Sequence, residues 1–322
     1  MIAHSGEYRK KNGQRGYVMM NNFIFENKTK VYFGKGGVKE YLGGLLANFG
    51  ETVMLAYGGG SIKRNGVYDE IMGILNAAGK RIVEFSGIMS NPTYAKVQEG
   101  AKLARENHVD LILAVGGGSV SDCCKVISGA FDTLSHAMET YFGKPDENNL
   151  SDDINEAVMR SVIRNIRILL TDPENYDARS ELAWASAMAE NGVLKIGKVT
   201  DFQAHQIEHQ LGAYTDCNHG AGLAVIHPVL YRHIYKSGTA RFTRWAQNVW
   251  GIAPKGSDGE TAAGIDVLAA FIKEIGLPTS FAELGIPADT DFRAVADSTN
   301  ITAGCCKKLT HDEIYEILQE CL

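Results

Sequence analysis

The sequence predicts an α/β domain built on a parallel sheet, followed by an all-α domain that carries a candidate metal-binding site. Three observations predict this. Two apolar runs, Thr52–Tyr57 (TVMLAY) and Leu111–Val115 (LILAV), end directly in glycine triplets, with helix-like stretches between them. After about Ser128 the strand-like runs cease, and apolar residues recur at helical spacing instead. Six of the nine histidines fall between His136 and His233, a clustering that points to a site.

Taken in order, residues 1–19 are polar and aperiodic and read as a disordered, dispensable leader ahead of Met20. The first domain then covers residues 20–128. Its FIFENKTKVYFG stretch, starting at Phe23, alternates aromatic or β-branched residues with polar ones, as a hairpin would. Strands at Thr52–Tyr57, Arg81–Phe85 and Leu111–Val115 alternate with helices around Val67–Ala78 and Tyr94–Asn107. Strands apolar on both faces, separated by helices, form parallel sheets covered on each side. In the second domain, residues 129–322, Ser151 or Asp152 is placed to cap a helix whose Ile154, Val158, Val162 and Ile166 recur every four positions before Pro173. A second helix from about Asp177 buries Leu182, Ala185, Met188 and Ala189 and stops near Gly192. Further helices are expected around Thr200–Leu211, Ala240–Trp250 and Thr261–Ile275.

Composition narrows the function. A chain of 322 residues, 45% hydrophobic and 22% charged, can bury a substantial core, which excludes disorder of the whole. The net charge of −6 comes from scattered residues, and no basic field exists to attract nucleic acid or an acidic membrane. No apolar run approaches the ~18–20 residues that cross a bilayer, so a soluble, cytoplasmic protein is expected. Cys123–Cys124 and Cys305–Cys306 are adjacent pairs, poorly placed to staple distant segments, while Cys217 and Cys321 stand alone. This usage suits a reducing compartment.

Gly58-Gly59-Gly60-Ser61 and Gly116-Gly117-Gly118-Ser119 each follow a strand. Glycine lets backbone approach a ligand closely, and helix-start N–H groups with a serine hydroxyl suit phosphate oxygens. Neither triplet is a GxGxxG fingerprint or a P-loop, yet two of them at strand ends favour a dinucleotide. No acidic residue at the first turn is available for a ribose 2′-hydroxyl, whereas Lys63 and Arg64 follow at once, favouring NADP over NAD.

Asp132 and His136 are one helical turn apart and could grip one ion. His205 and His209 repeat that spacing, and His219 follows just before a glycine. An oxygen donor with imidazoles suits Fe2+ or Zn2+ rather than a structural thiolate site. Cys217 is a possible extra ligand, Glu139 a helix-stabilising or histidine-orienting group, and His227 and His233, lacking matched partners, read as structural. His205-Gln206-Ile207-Glu208-His209 also fits the H-x-x-E-H pattern of inverted zinc proteases. That reading leaves the glycine turns and Asp132–His136 without a role. A serine triad has no G-x-S-x-G elbow to support it.

In YGGGSIKRNGVYDEI, VGGGSVSDCCKVI, GAFDTLSHAMETYF and HQIEHQLGAYTDCNHGAGLAVIHP the chain resembles the iron-containing (group III) alcohol dehydrogenases, most closely their butanol-dehydrogenase-like branch. The resemblance covers nearly everything after Met20. It implies a Rossmann-like nucleotide domain, an all-α metal domain, and a homo-oligomer. It also implies NADP- or NAD-linked conversion of small primary alcohols and aldehydes at Fe2+ or Zn2+. On this resemblance the metal ligands are Asp132, His136, His205 and His219, and His209 lies near the nicotinamide, where it can relay a proton. Gly58, Gly59, Ser61, Gly117, Gly118, Ser119 and Asp122 would contact the dinucleotide. One departure stands out. Only 13 positions separate Ser119 from Asp132, and the family's TTxGTGSE-like segment is missing. An internal deletion joined near Val126–Gly129 accounts for this, and it predicts an incomplete Rossmann-like domain with an open sheet edge. The alternative function is then an inactive relic serving as a metal-binding or oligomer-interface module.

Overall fold

The computed structural model of the chain describes residues 24–27, 29–88, 94–116, 123–253, 258–302 and 306–322. They divide into two compact units, Lys28–Val126 and Ile127–Leu322, with residues 24–27 grouped with the latter. Among the described residues no helix is long and apolar enough to cross a membrane.

The first unit runs α1 (Gly37–Leu46), β1 (Thr52–Tyr57), α2 (Ser61–Arg64), α3 (Val67–Ala77), β2 (Arg81–Phe85), α4 (Tyr94–Glu106) and β3 (Leu111–Val115). All three strands are parallel, in the order β2-β1-β3. The central strand is apolar at every position but one and wholly buried, because it is covered on both faces. Val53, Leu55 and Tyr57 pack with Leu46, Ile71 and Leu75 on one side, and Met54 and Ala56 with Phe85 on the other. In register, Tyr57 lies beside Val115 and Ala56 beside Phe85. The chain therefore leaves β1 in one direction for β2 and returns on the other side for β3. A topological switch point results between the C-terminal ends of β1 and β3, where open α/β sheets bind ligands.

On its other side β3 has no strand partner among the described residues, and Ile112 is 60% exposed. A cavity of about 440 Å³ lies against this strand, lined by Met54, Phe85, Ile88, Ala101, Ile112 and Ala114. Phe23 and Lys28 of the expected hairpin lie outside the described residues, and the rest of it shows no strand. Residues 24–27 and 29–33 adopt no strand, and Ile24, Phe25, Val31, Tyr32 and Phe33 remain exposed. Alternation makes a strand only where a sheet face exists to cover the apolar half, and here none of those side chains finds one.

The helical unit begins within α5 (Cys123–Tyr141), which runs unbroken through the Val126–Gly129 join. It continues with α6 (Leu150–Thr171), α7 (Tyr176–Glu190), α8 (Gln203–Thr215), α9 (His219–Ile234), α10 (Thr239–Asn248), α11 (Asp258–Glu274), α12 (Phe281–Leu284), α13 (Phe292–Ser298) and α14 (His311–Glu320). The cap of α6 is Asn149, not Ser151 or Asp152. Its side chain accepts from the Asp152 N–H while the Asp152 carboxylate accepts from the Asn149 N–H, and this reciprocal box satisfies two helix-start donors at once. The helical core is aromatic. Phe142 stacks on Phe242 with centroids 4.0 Å apart, and Tyr231 and Trp245 meet them edge-on. Asp152 is buried between Lys198 and Arg241 and ties the start of α6 to α10.

Candidate metal centre

The helices α5, α8 and α9 bring four side chains to one point. Asp132 Oδ1 lies 3.6 Å from His136 Nε2, 3.3 Å from His205 Nε2 and 3.5 Å from His219 Nε2, and the Nε2 atoms of His136 and His205 are 3.0 Å apart. Donors held tetrahedrally at about 2.1 Å from one ion are about 3.4 Å from each other. The separations about Asp132 match that requirement, ligand atoms of Asp132, His205 and His219 all lie within 4.8 Å of one another, and the buried Asp132 Oδ1 has no hydrogen-bond partner of its own. Of the four, Asp132 and His219 have side chains 30% exposed, His136 17% and His205 3%.

Two of the imidazoles are aimed by a carboxylate on the other nitrogen: the Nδ1–H of His205 donates to Glu139 and that of His219 to Glu208. His136 Nδ1 lies 2.8 Å from Glu190 Oε1 as an ion pair, outside hydrogen-bond alignment. Such carboxylates fix the tautomer, so that the Nε2 lone pairs converge, and they raise ligand basicity. Glu139 has a second task. The start of α8 has no side-chain cap because Phe202, in the left-handed region at φ 56°, precedes it. The N–H groups of Ala204 and His205 donate to the Glu139 carboxylate instead, at 2.5 and 3.3 Å, so one buried group both caps α8 and orients its first histidine.

Glycine sets the approach of α9. A Cβ at Gly220 would sit 2.1 Å from the Ser128 carbonyl oxygen, and one at Gly222 would meet Glu208 Oε1 at 2.9 Å. Only glycine lets the first turn of α9 touch α5, which is how His219 reaches Asp132. That turn is capped by Asn218, whose side chain accepts from the Ala221 N–H.

The electrostatics follow from this packing. Burial opposes the charge on Asp132, but the imidazoles of His205, His219 and His136 outweigh it and hold the carboxyl well below its usual range. Burial likewise opposes protonation of His205 and His219, yet their carboxylates raise them to about 9 and about 10. The metal-free cluster therefore holds protons where a cation would sit. His209 differs. Burial and the neighbouring His219 and His205 push it down, so it is neutral near pH 7. Its ring stacks on that of His219 at 5.2 Å and is 5.9 Å from that of His205. Burial pushes Cys217 up to about 11, and its Sγ lies 3.7 Å from Glu208 Oε1. His227, also buried, meets Ser135 Oγ at 2.6 Å, and His233 meets Glu320 at 3.1 Å.

Asp132, His205 and His219 come together in one cluster, His136 lies against Asp132 and His205, and His209 stacks on His219. Glu208 is the correction. Its carboxylate orients His219 and is 2% exposed, so it is no free base for the H-x-x-E-H reading. Glu190, missed in the sequence, stands 54 positions from His136 with no spacing to link them. At the switch point, Gly58 and Gly59 follow β1, and Ser61 opens the short helix α2. Gly117, Gly118, Ser119 and Asp122 lie outside the described residues. An acidic group does reach the first turn. Glu84 of β2 accepts from the Tyr57 and Tyr68 hydroxyls at 2.5 and 2.7 Å.

Comparison with known proteins identifies the chain's relatives. Residues 126–322 match the family model described as Fe-containing alcohol dehydrogenase family, C-terminal, and residues 28–157 match that of iron-containing alcohol dehydrogenase. The chain is 29% identical to NADH-dependent butanol dehydrogenase A of Clostridium acetobutylicum over 389 positions, covering 94% of this chain and 100% of that one. It is 31% identical to a probable NADH-dependent butanol dehydrogenase 2 of Bacillus subtilis over 392 positions, with the same coverage. Among solved structures, NADH-dependent butanol dehydrogenase A from Thermotoga maritima superposes with a TM-score of 0.87 at 27% identity, covering 94% of this chain and 99% of that one. The aldehyde reductase YqhD from Escherichia coli, free of substrate and cofactor, gives 0.81 at 25%, covering 94% and 100%. An alignment of 389 positions against 322 residues leaves at least 67 positions where this chain has no residue, in keeping with an internal deletion.

Proposed function

Because this chain belongs to the iron-containing alcohol dehydrogenase family, we propose that it is a metal-dependent, NAD(P)H-linked alcohol dehydrogenase or aldehyde reductase of small primary alcohols and aldehydes. The observation that carries the reading is the approach of the Nε2 atoms of His136, His205 and His219 to the Asp132 carboxylate, with Glu139 and Glu208 hydrogen-bonded behind His205 and His219 and Glu190 paired with His136. When bound there, Fe2+ or Zn2+ supplies Lewis acidity toward a carbonyl or hydroxyl oxygen, and a nicotinamide supplies or accepts the hydride.

The side chains do the remainder. Asp132 offsets part of the cation's charge, and Glu139 and Glu208 keep the lone pairs of His205 and His219 fixed on one point. His209, neutral at pH 7 and next to the cluster, accepts a proton from an alcohol or returns one to an alkoxide. The glycine turns after β1 and β3 supply close backbone approach for a dinucleotide, and Lys63 favours NADP over NAD.

A second reading has one observation in its favour, the shortfall of at least 67 positions against butanol dehydrogenase A. Under it the chain retains metal without turnover. One experiment decides between them. Protein reconstituted with metal is mixed with NADPH and butyraldehyde, and the reduced-nicotinamide absorbance is followed. Decay above that of an Asp132→Ala control supports the dehydrogenase. No decay from protein carrying one metal ion per chain assigns the second reading.

A further inference from the structure

Among the described residues, β3 pairs with β1 on one side and with no strand on the other. The Asp110 N–H donates to the Thr52 carbonyl of β1 at 2.9 Å, and amides alternate along a strand, so those of Leu111, Leu113 and Val115 point out from the sheet. The strand, LILAV, carries neither the charge nor the proline that commonly keeps an open edge from pairing with another chain. Both faces beside it are hollow. The cavity of about 440 Å³ on the α4 face is bounded by Ala101 and Ala104 of α4 and by Ile112 and Ala114 of β3. A second cavity, of about 300 Å³, lies between β3 and the helices α1 and α3, against Val38, Leu42, Ile71 and Leu113. Apolar side chains stand exposed around the two hollows: Ile112 at 60%, Val97 at 55% and Val38 at 44%.

We propose that β3 is an interface between two copies of this chain, the strands pairing antiparallel about a two-fold axis at Leu113, with Ile112 of each copy seated beside Ala114 of the other. The strand is complementary to itself in this register. Leu113 faces its own counterpart, Leu111 faces Val115, and the outward amides of all three find partners across the axis. On the α4 face the large Ile112 lies opposite the small Ala114 and fills the hollow that Ala101, Ala104 and Ala114 leave. An axis at Ile112 would instead set two isoleucines face to face, and one at Ala114 would leave the hollow unfilled. A second copy is the occupant because one strand supplies both the projecting Ile112 and the space at Ala114. The sheet then runs β2-β1-β3-β3-β1-β2, and the two-fold closes the assembly at two chains. Strand edge and exposed side chains offer roughly 400–500 Å² per chain, which places the contact at the small end of specific interfaces and its affinity in the micromolar range.

Sedimentation velocity of the full chain from about 1 to about 100 μM should show a monomer–dimer equilibrium. Ile112→Lys places two ammonium groups in the apolar hollows and should weaken the dimer about 100-fold or more. Because Ile112 is exposed in the single chain, the melting temperature of that variant at low concentration should stay unchanged. Cross-linking reads the register. Under mild oxidation, a mixture of Ile112→Cys and Ala114→Cys chains should form disulfide-linked dimers well above the level of the unaltered chain, and neither variant alone should, since only these two positions face each other across the axis. A chain that stays monomeric throughout the range, its edge covered by its own residues or by none, would overturn the inference. So would a dimer that Ile112→Lys leaves intact, or equal cross-linking in the mixture and in the single variants.

Discussion

Replacing Glu139 by glutamine tests how far the metal centre depends on one buried carboxylate. Glutamine fits the same space, and its carbonyl can still accept from the Ala204 N–H. Its amide, however, must then face the Nδ1–H and backbone N–H of His205, so donors meet donors where a carboxylate accepted both. A hydrogen bond to a charged group is worth about 1.5–3 kcal/mol, which is about 10–100-fold in an equilibrium constant. Removal of a carboxylate that orients a metal-bound histidine costs the same range in metal affinity. The expected outcome is a metal dissociation constant raised about 10–100-fold, measured by competition with a chromophoric chelator. The melting temperature of the metal-free protein should also fall, because Glu139 caps α8. Unchanged metal affinity in a variant with an intact circular dichroism spectrum would refute the orienting role.

Three further outcomes follow from the same geometry. Gly220→Ala places a methyl 2.1 Å from the Ser128 carbonyl, and overpacking against backbone should destabilise the helical unit by about 1–3 kcal/mol or more in urea titrations and weaken metal binding, since His219 rides on that turn. Phe142→Ala removes the ring stacked on Phe242 and should cost about 3–5 kcal/mol while leaving one metal ion bound. His205 and His219, raised to about 9 and about 10 in the metal-free protein, must shed their protons to ligate, so metal affinity should rise with pH up to about 10, by about tenfold per pH unit for each proton released, two below about 9 and one above it. The linked effect on stability has the opposite sense. The two raised groups stabilise the metal-free fold fully below about pH 6.5, and that contribution is lost as pH rises through 9 to 10, so its melting temperature should fall across that window.

How much of this was legible in the sequence depended on whether the signal was local. The central strand was, because a strand covered on both faces must be apolar nearly throughout, as TVMLAY is after Thr52. Asp132 and His136 were legible from helical spacing alone. Glu190 was not, because its link to His136 arises only when α7 packs beside α5. Glu208 misled in a five-residue pattern, since its direction is set by α9, where Gly222 leaves room for its carboxylate. The alternation after Phe23 recorded a capacity for strand formation, and no sheet face was there to realise it. Glu84 escaped notice at the first glycine turn because it arrives from β2, more than twenty positions later.

The central claim is that Asp132, His136, His205 and His219 together hold one divalent ion. Its most direct test is the metal content of the chain after reconstitution with Fe2+ under anaerobic conditions, or with Zn2+, and removal of excess by gel filtration. One ion per chain is predicted, falling to background in an Asp132→Ala/His219→Ala variant that remains folded. No retained metal in the unaltered chain, or equal content in the variant, would contradict it.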